Sequence, residues 1–305
     1  MDEFPPMLAL VGTTASGKSE LAMRVAEHCG GEIVSCDSVQ LYRGFNIGSA
    51  KPSEKEQKRV PHHLVDLIEW HEPFDAQRYV ELADEAVAEI RSRGAVPIVC
   101  GGTGLYLRAF RYGLVDLPDP PAGLRDALHQ EEAENPGSLY ARLCREDPES
   151  ARTIEPKNIV YIVRAFEIMA ATGKTASEVR RAHGFHKPRL AMHLIALRWS
   201  PDALRARISA RVDRMLDAGL LDETQALLDQ GVDPESRPMR AVGYREAVHA
   251  LQASLEREEL HAMIVKSTWS YSRRQRTWLR KEPGVRWIDI EDTDALVEIA
   301  QQLSP

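Results

Sequence analysis

The chain has 305 residues, 43% of them hydrophobic, enough to bury a sizeable core and to exclude a disordered or fibrous protein. No apolar run approaches the roughly 18 to 20 residues of a membrane span, and Met1 to Met7 lacks the basic-then-apolar pattern of a secretory leader, so the expectation is a cytoplasmic protein without membrane contact. The net charge of −7 taken alone argues against a nucleic-acid partner, so that question turns on how the charge is distributed.

Taken in chain order, Met7 to Val11 reads as a strand, followed by a glycine-containing turn and a helix from Lys18 to His28. Glu32 to Ser35 reads as a second strand ending in Cys-Asp-Ser. Val80, Ala83, Val87 and Ile90 recur at helical spacing within Gln77 to Ser92, which Gly94 closes. Val96 to Cys100 is the next strand, stopping at Gly101-Gly102-Thr103-Gly104. Strands separated by helices in this order predict an α/β fold with a parallel sheet covered on both faces, whose ligands gather at the carboxyl ends of the strands. Pro118-Asp119-Pro120-Pro121 punctuates the chain, and Leu124 to about His183 is helical throughout. We therefore expect an all-helical insertion over 118–185 in a core made of 1–117 and 186–305. Arg189 to Leu197 returns as a strand, Leu204 to Leu228 and Leu260 to Leu279 read as long helices, and Val285 to Ile288 as a short last strand. Cys29, Cys36, Cys100 and Cys144 form no Cys-x-x-Cys pair and read as buried, reduced thiols. The adjacent His62 and His63 read as turn or packing residues.

Gly12-Thr13-Thr14-Ala15-Ser16-Gly17-Lys18-Ser19 fits the phosphate-binding pattern G-x-x-x-x-G-K-[ST] and sits between strand and helix, as that motif requires. Backbone N–H groups and a helix N-terminus cradle phosphate oxygens, Lys18 adds a cation, and the Ser19 hydroxyl suits Mg²⁺. A nucleotide kinase would present an acidic residue at the end of a neighbouring strand, whereas Val96 to Cys100 ends in Gly-Gly-Thr, so the loop is open to a diphosphate outside a nucleotide. Asp37, after the second strand, projects from the same sheet edge with Ser38 and Gln40; it suits a base, a magnesium ligand or a turn cap. Arg273 to Lys281 packs five cations and Trp278 into nine residues, either a solvated helix face or a phosphate-binding surface.

Together with Asp37-Ser38-Val39-Gln40-Leu41-Tyr42-Arg43-Gly44, Ile47-Gly48-Ser49-Ala50-Lys51-Pro52, Pro61-His62-His63-Leu64, Gly101 to Tyr106, Arg240-Ala241-Val242-Gly243-Tyr244-Arg245 and Arg274-Gln275-Arg276-Thr277-Trp278-Leu279, the chain resembles, over nearly its whole length, the bacterial tRNA dimethylallyltransferases. The resemblance implies a P-loop NTPase-like fold whose loop holds dimethylallyl diphosphate with Mg²⁺ at Ser19, and a monomer acting on the tRNA anticodon stem-loop. It implies Asp37 as general base, Thr103 as an orienting residue, and Arg207 or Arg211 as a diphosphate contact. It further implies tRNA contacts from Asp37, Ser38, Val39, Gln40, Thr103, Arg125, Arg164, Arg240, Gly243, Tyr244, Arg245, Arg273, Arg274, Gln275, Arg276, Trp278 and Arg280. Trp278 suits a base-stacking or a core role equally. Two positions depart from the family pattern: Thr13 replaces the usual proline of the loop, and Tyr161 stands where an arginine is common, leaving Arg164 as the cation of that segment. A P-loop small-molecule kinase, a transferase acting on free AMP and a non-catalytic tRNA-binding module are the rival readings.

Overall fold

The computed structural model describes residues 7–115, 117–184 and 187–289; the expected boundary at 185/186 and the C-terminal residues lie outside them. The chain divides into two compact units, one made of the residues up to Arg111 and from Arg189 on, the other of Tyr112–Pro188.

The first unit is built on a six-stranded sheet of β1 (Met7–Val11), β2 (Gly31–Cys36), β3 (His62–His63), β4 (Val96–Gly101), β5 (Met192–Arg198) and β6 (Val285–Asp289), in the order β3-β2-β4-β1-β5-β6. Every pairing is parallel. All five residues of β1 are buried, which is why its sequence is a continuous apolar run with no alternation. Successive residues serve opposite cores: Leu8 and Leu10 pack with Leu21, Ala22 and Val25 of α1 (Lys18–Cys29), while Met7, Ala9 and Val11 join the larger core. That core takes in α3 (Ala76–Ser92) and α4 (Gly104–Tyr112). It also takes in α10 (Pro201–Asp217), α11 (Leu220–Asp229), α12 (Tyr244–Ala253) and α13 (Arg257–Lys281). The short α2 (Glu54–Arg59) opens with a capping box between Ser53 and Glu56.

The second unit consists of α5 (Leu124–Glu134), α6 (Ser138–Glu146), α7 (Pro148–Thr153), α8 (Ile159–Thr172) and α9 (Ala176–His183) around Leu128, Leu139, Leu143, Ile162, Val163 and Phe166. The buried Asp147 carboxylate caps α7 through Ser150 and also accepts from the Ser177 N–H at the start of α9.

Several elements differ from the sequence reading. The single helix expected over Leu204 to Leu228 is two, because Gly219 adopts φ 91° and ends the first. The strand expected from Arg189 begins at Met192. Helices α2, α4 and α12 and strand β3 are additional to the elements expected from the sequence: α2 buries nothing, and β3 is a two-residue edge pairing with no period to read.

Candidate active site at the carboxyl ends of the strands

In the sheet register Val11 and Cys36 both pair with Gly101, so Gly12, Asp37 and Gly102 leave the sheet side by side. After β1 the chain runs to β2 and β4 on one side and later to β5 and β6 on the other, which opens a crevice at the end of β1. The Gly12 to Ser19 loop lies there. Ala15 (φ 62°) and Gly17 (φ 91°) are both left-handed, and α1 starts at Lys18. The loop carbonyls are held by donors: Lys18 Nζ reaches Thr13 O at 3.3 Å, Arg207 Nε reaches Ala15 O at 2.9 Å and Trp199 Nε1 reaches Ser16 O at 2.9 Å. Because N–H and C=O of a trans peptide point opposite ways, the Ser16 carbonyl held by Trp199 leaves the Gly17 N–H for an anion on the other side, whereas the Thr14 N–H donates to Gln275 Oε1 and the Ser16 N–H to Thr13 O. Arg207 is fixed further by its guanidinium stacking 4.3 Å above the Trp199 ring. The Ser16 hydroxyl inside the loop is buried with no hydrogen-bond partner among the described residues.

Beside the loop lies a cavity of about 370 Å³, lined by Lys18, Ser19, Asp37, Ser38, Val39, Gln40, Arg211, Tyr271 and, on its apolar parts, Met23, Ile33, Val212, Met215 and Val242. Neither Lys18 nor Arg211 forms an ion pair among the described residues, although burial lowers the pKa of both; Asp37 opposes the shift in each case, and each has a second cation working with burial. Two desolvated cations facing one carboxylate leave an excess of positive charge that suits a diphosphate. Asp37 Oδ1 accepts from the N–H groups of Val39 (2.8 Å) and Gln40 (3.3 Å), an Asx turn that fixes the carboxylate. The turn-cap and cavity roles expected as alternatives are therefore compatible, since Oδ2 makes no hydrogen bond among the described residues. Burial pushes the Cys100 thiol to about 11 and the Cys36 thiol to about 12, so neither is a thiolate nucleophile near neutral pH.

Two residues that carry this site have no signature in the sequence. Glu223 of α11 accepts from the N–H groups of Asn46 (3.2 Å), Ile47 (2.9 Å) and Gly48 (3.4 Å) and from Tyr244 Oη (2.6 Å). It thereby pins the loop whose Gly48 to Pro52 line the cavity. Tyr271, one turn before Gln275 on α13, faces the cavity with its phenol pushed up to about 12 by burial and by the Asp37 charge, so it stays a neutral donor. A glutamate on a helix and a tyrosine ahead of a basic run look like ordinary surface and core residues until the fold brings them together.

The expected nucleic-acid contacts separate into two groups. Arg240, Arg245 and Arg274 are exposed and line the cavity, and Arg273 and Arg280 are exposed on α13. Arg276 is half-buried. Arg125 and Arg164, in the helical unit, share the Glu167 carboxylate at 2.7 and 3.2 Å while their side chains stay about half exposed or more. Burial alone would raise the Glu167 pKa, but hydrogen bonds from the two arginines outweigh it and hold the carboxyl below its usual range. By contrast Gly243, Tyr244 and Gln275 lie inside: Tyr244 is 0% exposed with its hydroxyl on Glu223, and Gln275 is 4% exposed. Trp278 is half-buried against Gly104, which places it in the packing of α13 on α4. Gln40 is occupied internally, accepting from Ser35 Oγ and donating to the Ser49 and Ala50 carbonyls. Thr103 immediately precedes α4, its N–H on Cys36 O, and is not among the described residues that line the cavity.

The model of one protein family, IPP transferase, matches residues 40–282. The chain belongs to the IPP transferase family. It is 44% identical over 296 residues to the tRNA dimethylallyltransferase 1 of Pelobacter propionicus, covering 96% of each chain. Its fold is similar to that of the crystal structure of the full-length tRNA isopentenylpyrophosphate transferase of Bacillus halodurans, with TM-score 0.71, 32% identity and coverage of 98% and 95%. It is also similar to a eukaryotic dimethylallyltransferase described as acting on tRNA, with TM-score 0.83, 27% identity and coverage of 98% and 77%. The fold of this IPP transferase family member is thus P-loop NTPase-like, a parallel sheet flanked by helices. The phosphate loop and Asp37 precede the stretch that the family model matches, so their assignment leans on the loop pattern and on the geometry above.

Proposed function

We propose that this chain transfers a dimethylallyl group from its diphosphate to the exocyclic N6 amine of the adenosine just 3′ of the tRNA anticodon, in the cytoplasm. The observation that carries the reading is a cavity in which Lys18 and Arg211, without an ion pair among the described residues, face Asp37, with apolar walls for a short prenyl chain and Arg240, Arg245 and Arg274 on its lining. The P-loop amides, Lys18 and Arg211 bind the diphosphate and stabilise the charge that builds on it as the C–O bond to the allyl carbon breaks. An adenine amine is a poor nucleophile because its lone pair is delocalised into the ring, so most of the activation lies in this departure. As nitrogen attacks the allyl carbon, Asp37 accepts the amine proton, and its Asx turn keeps the carboxylate aimed. Tyr271 donates toward the same pocket. Exposed arginines offset the few kcal/mol needed to extrude a stacked base.

The residues fit a magnesium ion: the Ser19 hydroxyl is a hard oxygen donor lining the cavity, and Mg²⁺ needs only one or two protein oxygens beside those of a phosphate. When bound there, it neutralises part of the leaving-group charge. Both candidate arginines line a second cavity against the loop, and Arg211 alone also lines the one that holds Asp37; we assign the diphosphate to Arg211 and give Arg207 the task of holding the Ala15 carbonyl.

Incubation with dimethylallyl diphosphate and tRNA should add a five-carbon unit to one anticodon-loop fragment in mass spectrometry, and Asp37→Ala should slow single turnover by about 10² to 10⁴ while leaving tRNA affinity nearly intact. Unmodified tRNA together with tight, magnesium-dependent ATP binding would return the chain to the kinase reading.

A further inference from the structure

We propose that Gln275 is a positioning residue of the diphosphate site, a strut that sets the shape of the phosphate loop, and that it makes no contact with tRNA. Its carboxamide is committed at both ends: Oε1 accepts the Thr14 N–H at 2.8 Å and Nε2 donates to Gly102 O at 3.1 Å. One side chain thus ties together the loops that leave the neighbouring strands β1 and β4. A carboxamide supplies an acceptor and a donor from one planar group, whereas an ionised carboxylate offers acceptors alone and a lysine or arginine donors alone. The fit also accounts for a glycine. A Cβ on Gly102 would lie 2.4 Å from Gln275 Nε2 and 2.9 Å from Gly12 O, so position 102 has no room for a side chain while the amide is in place. Because the Thr14 N–H is taken by Gln275 and the Ser16 N–H by Thr13 O at 3.3 Å, the N–H of Ala15 and those from Gly17 onward are left for the anion, and the direction in which they point depends on where Thr14 is held. The residue sits on the buried stripe of α13, while Arg273, Arg274 and Arg280 of the same helix are exposed.

The inference rests on the diphosphate reading above, and the test separates the two. Calorimetry with dimethylallyl diphosphate, filter binding with tRNA and thermal melts are run on the full-length protein and on Gln275→Met and Gln275→Glu, both close to the native side chain in size. Gln275→Met removes both hydrogen bonds; Gln275→Glu keeps an acceptor for Thr14 and sets it against the Gly102 carbonyl. Both variants should bind the allyl diphosphate at least about tenfold more weakly, the worth of one charge-assisted hydrogen bond, with tRNA affinity within about twofold of the native value. The KM for the allyl diphosphate should rise by more than kcat falls. Native diphosphate affinity in either variant, an equal or larger loss of tRNA affinity, or loss of folding in both would overturn the strut. Failure of the native protein itself to bind the allyl diphosphate would instead remove the site reading on which the strut depends.

Discussion

Lys18 and Arg211 are cations placed where burial disfavours their charge and no carboxylate among the described residues pairs with them, an arrangement that costs stability unless a ligand repays it. The direction of the Lys18 shift fixes a pH dependence. Its folded-state pKa is below the unfolded value, so the unfolded chain carries the extra proton, and the ligand-free protein gains stability as pH climbs through the lowered pKa toward the ordinary lysine value of 10.5. Diphosphate affinity should do the reverse, falling over the same alkaline window as the ammonium is lost, and Lys18→Met should abolish that fall along with much of the affinity; calorimetry across pH reads both. The two arginines should separate as well. Arg211→Ala should weaken allyl diphosphate binding by about tenfold or more with little change in melting temperature, since a desolvated charge is removed. Arg207→Ala breaks the Ala15 carbonyl bond and the Trp199 stack, so its loss should appear in the melt, at about 1 to 2 kcal/mol.

Helix α13 shows how an element sorts residues that a motif presents as one block. Leu260, Ile264, Thr268, Ser272, Gln275 and Leu279 form its buried stripe, which leaves Arg273, Arg274 and Arg280 outside and turns Trp278 toward α4. A Cβ on Gly104 would lie 2.5 Å from the Trp278 ring, so Gly104→Ala should destabilise the protein by about 1 to 3 kcal/mol through overpacking. Pairing it with Trp278→Phe should recover part of that loss in a double-mutant cycle, whereas additive effects would mean that the two do not share a contact. The same helix marks how far the sequence could be read. Strands β1, β2 and β4, helices α1 and α3 and the phosphate loop were legible, because continuous apolar runs, helical spacing and a fixed loop pattern are local signals. The inward turn of Tyr244 and Gln275 was not, since a buried polar residue is defined by partners such as Glu223 and Gly102 that lie far away in the chain. Nor was the break at Gly219, where a lone glycine inside an apolar helical pattern could equally have been carried through.

Across the whole molecule the charge that composition counts as −7 is unevenly exposed: acidic side chains engage arginines, as Glu167 does with Arg125 and Arg164, while Arg240, Arg273 and Arg280 have no ion pair among the described residues. Polyanion binding depends on such free cations more than on the net total, because each phosphate contact releases condensed counterions. The logarithm of tRNA affinity should therefore fall linearly with the logarithm of salt concentration despite the acidic composition, and Arg273→Ala or Arg280→Ala should each lower the slope by about one. Gln275→Met should leave the slope unchanged, because its amide carries no charge and faces the phosphate loop. Arg164→Ala should lower the slope and also leave the Glu167 carboxylate with one partner in place of two, raising its pKa and making that unit lose stability at a higher pH during acid titration. A salt slope unaffected by all of these arginines would mean that tRNA approaches by another face, even if the chemistry at Asp37 stands.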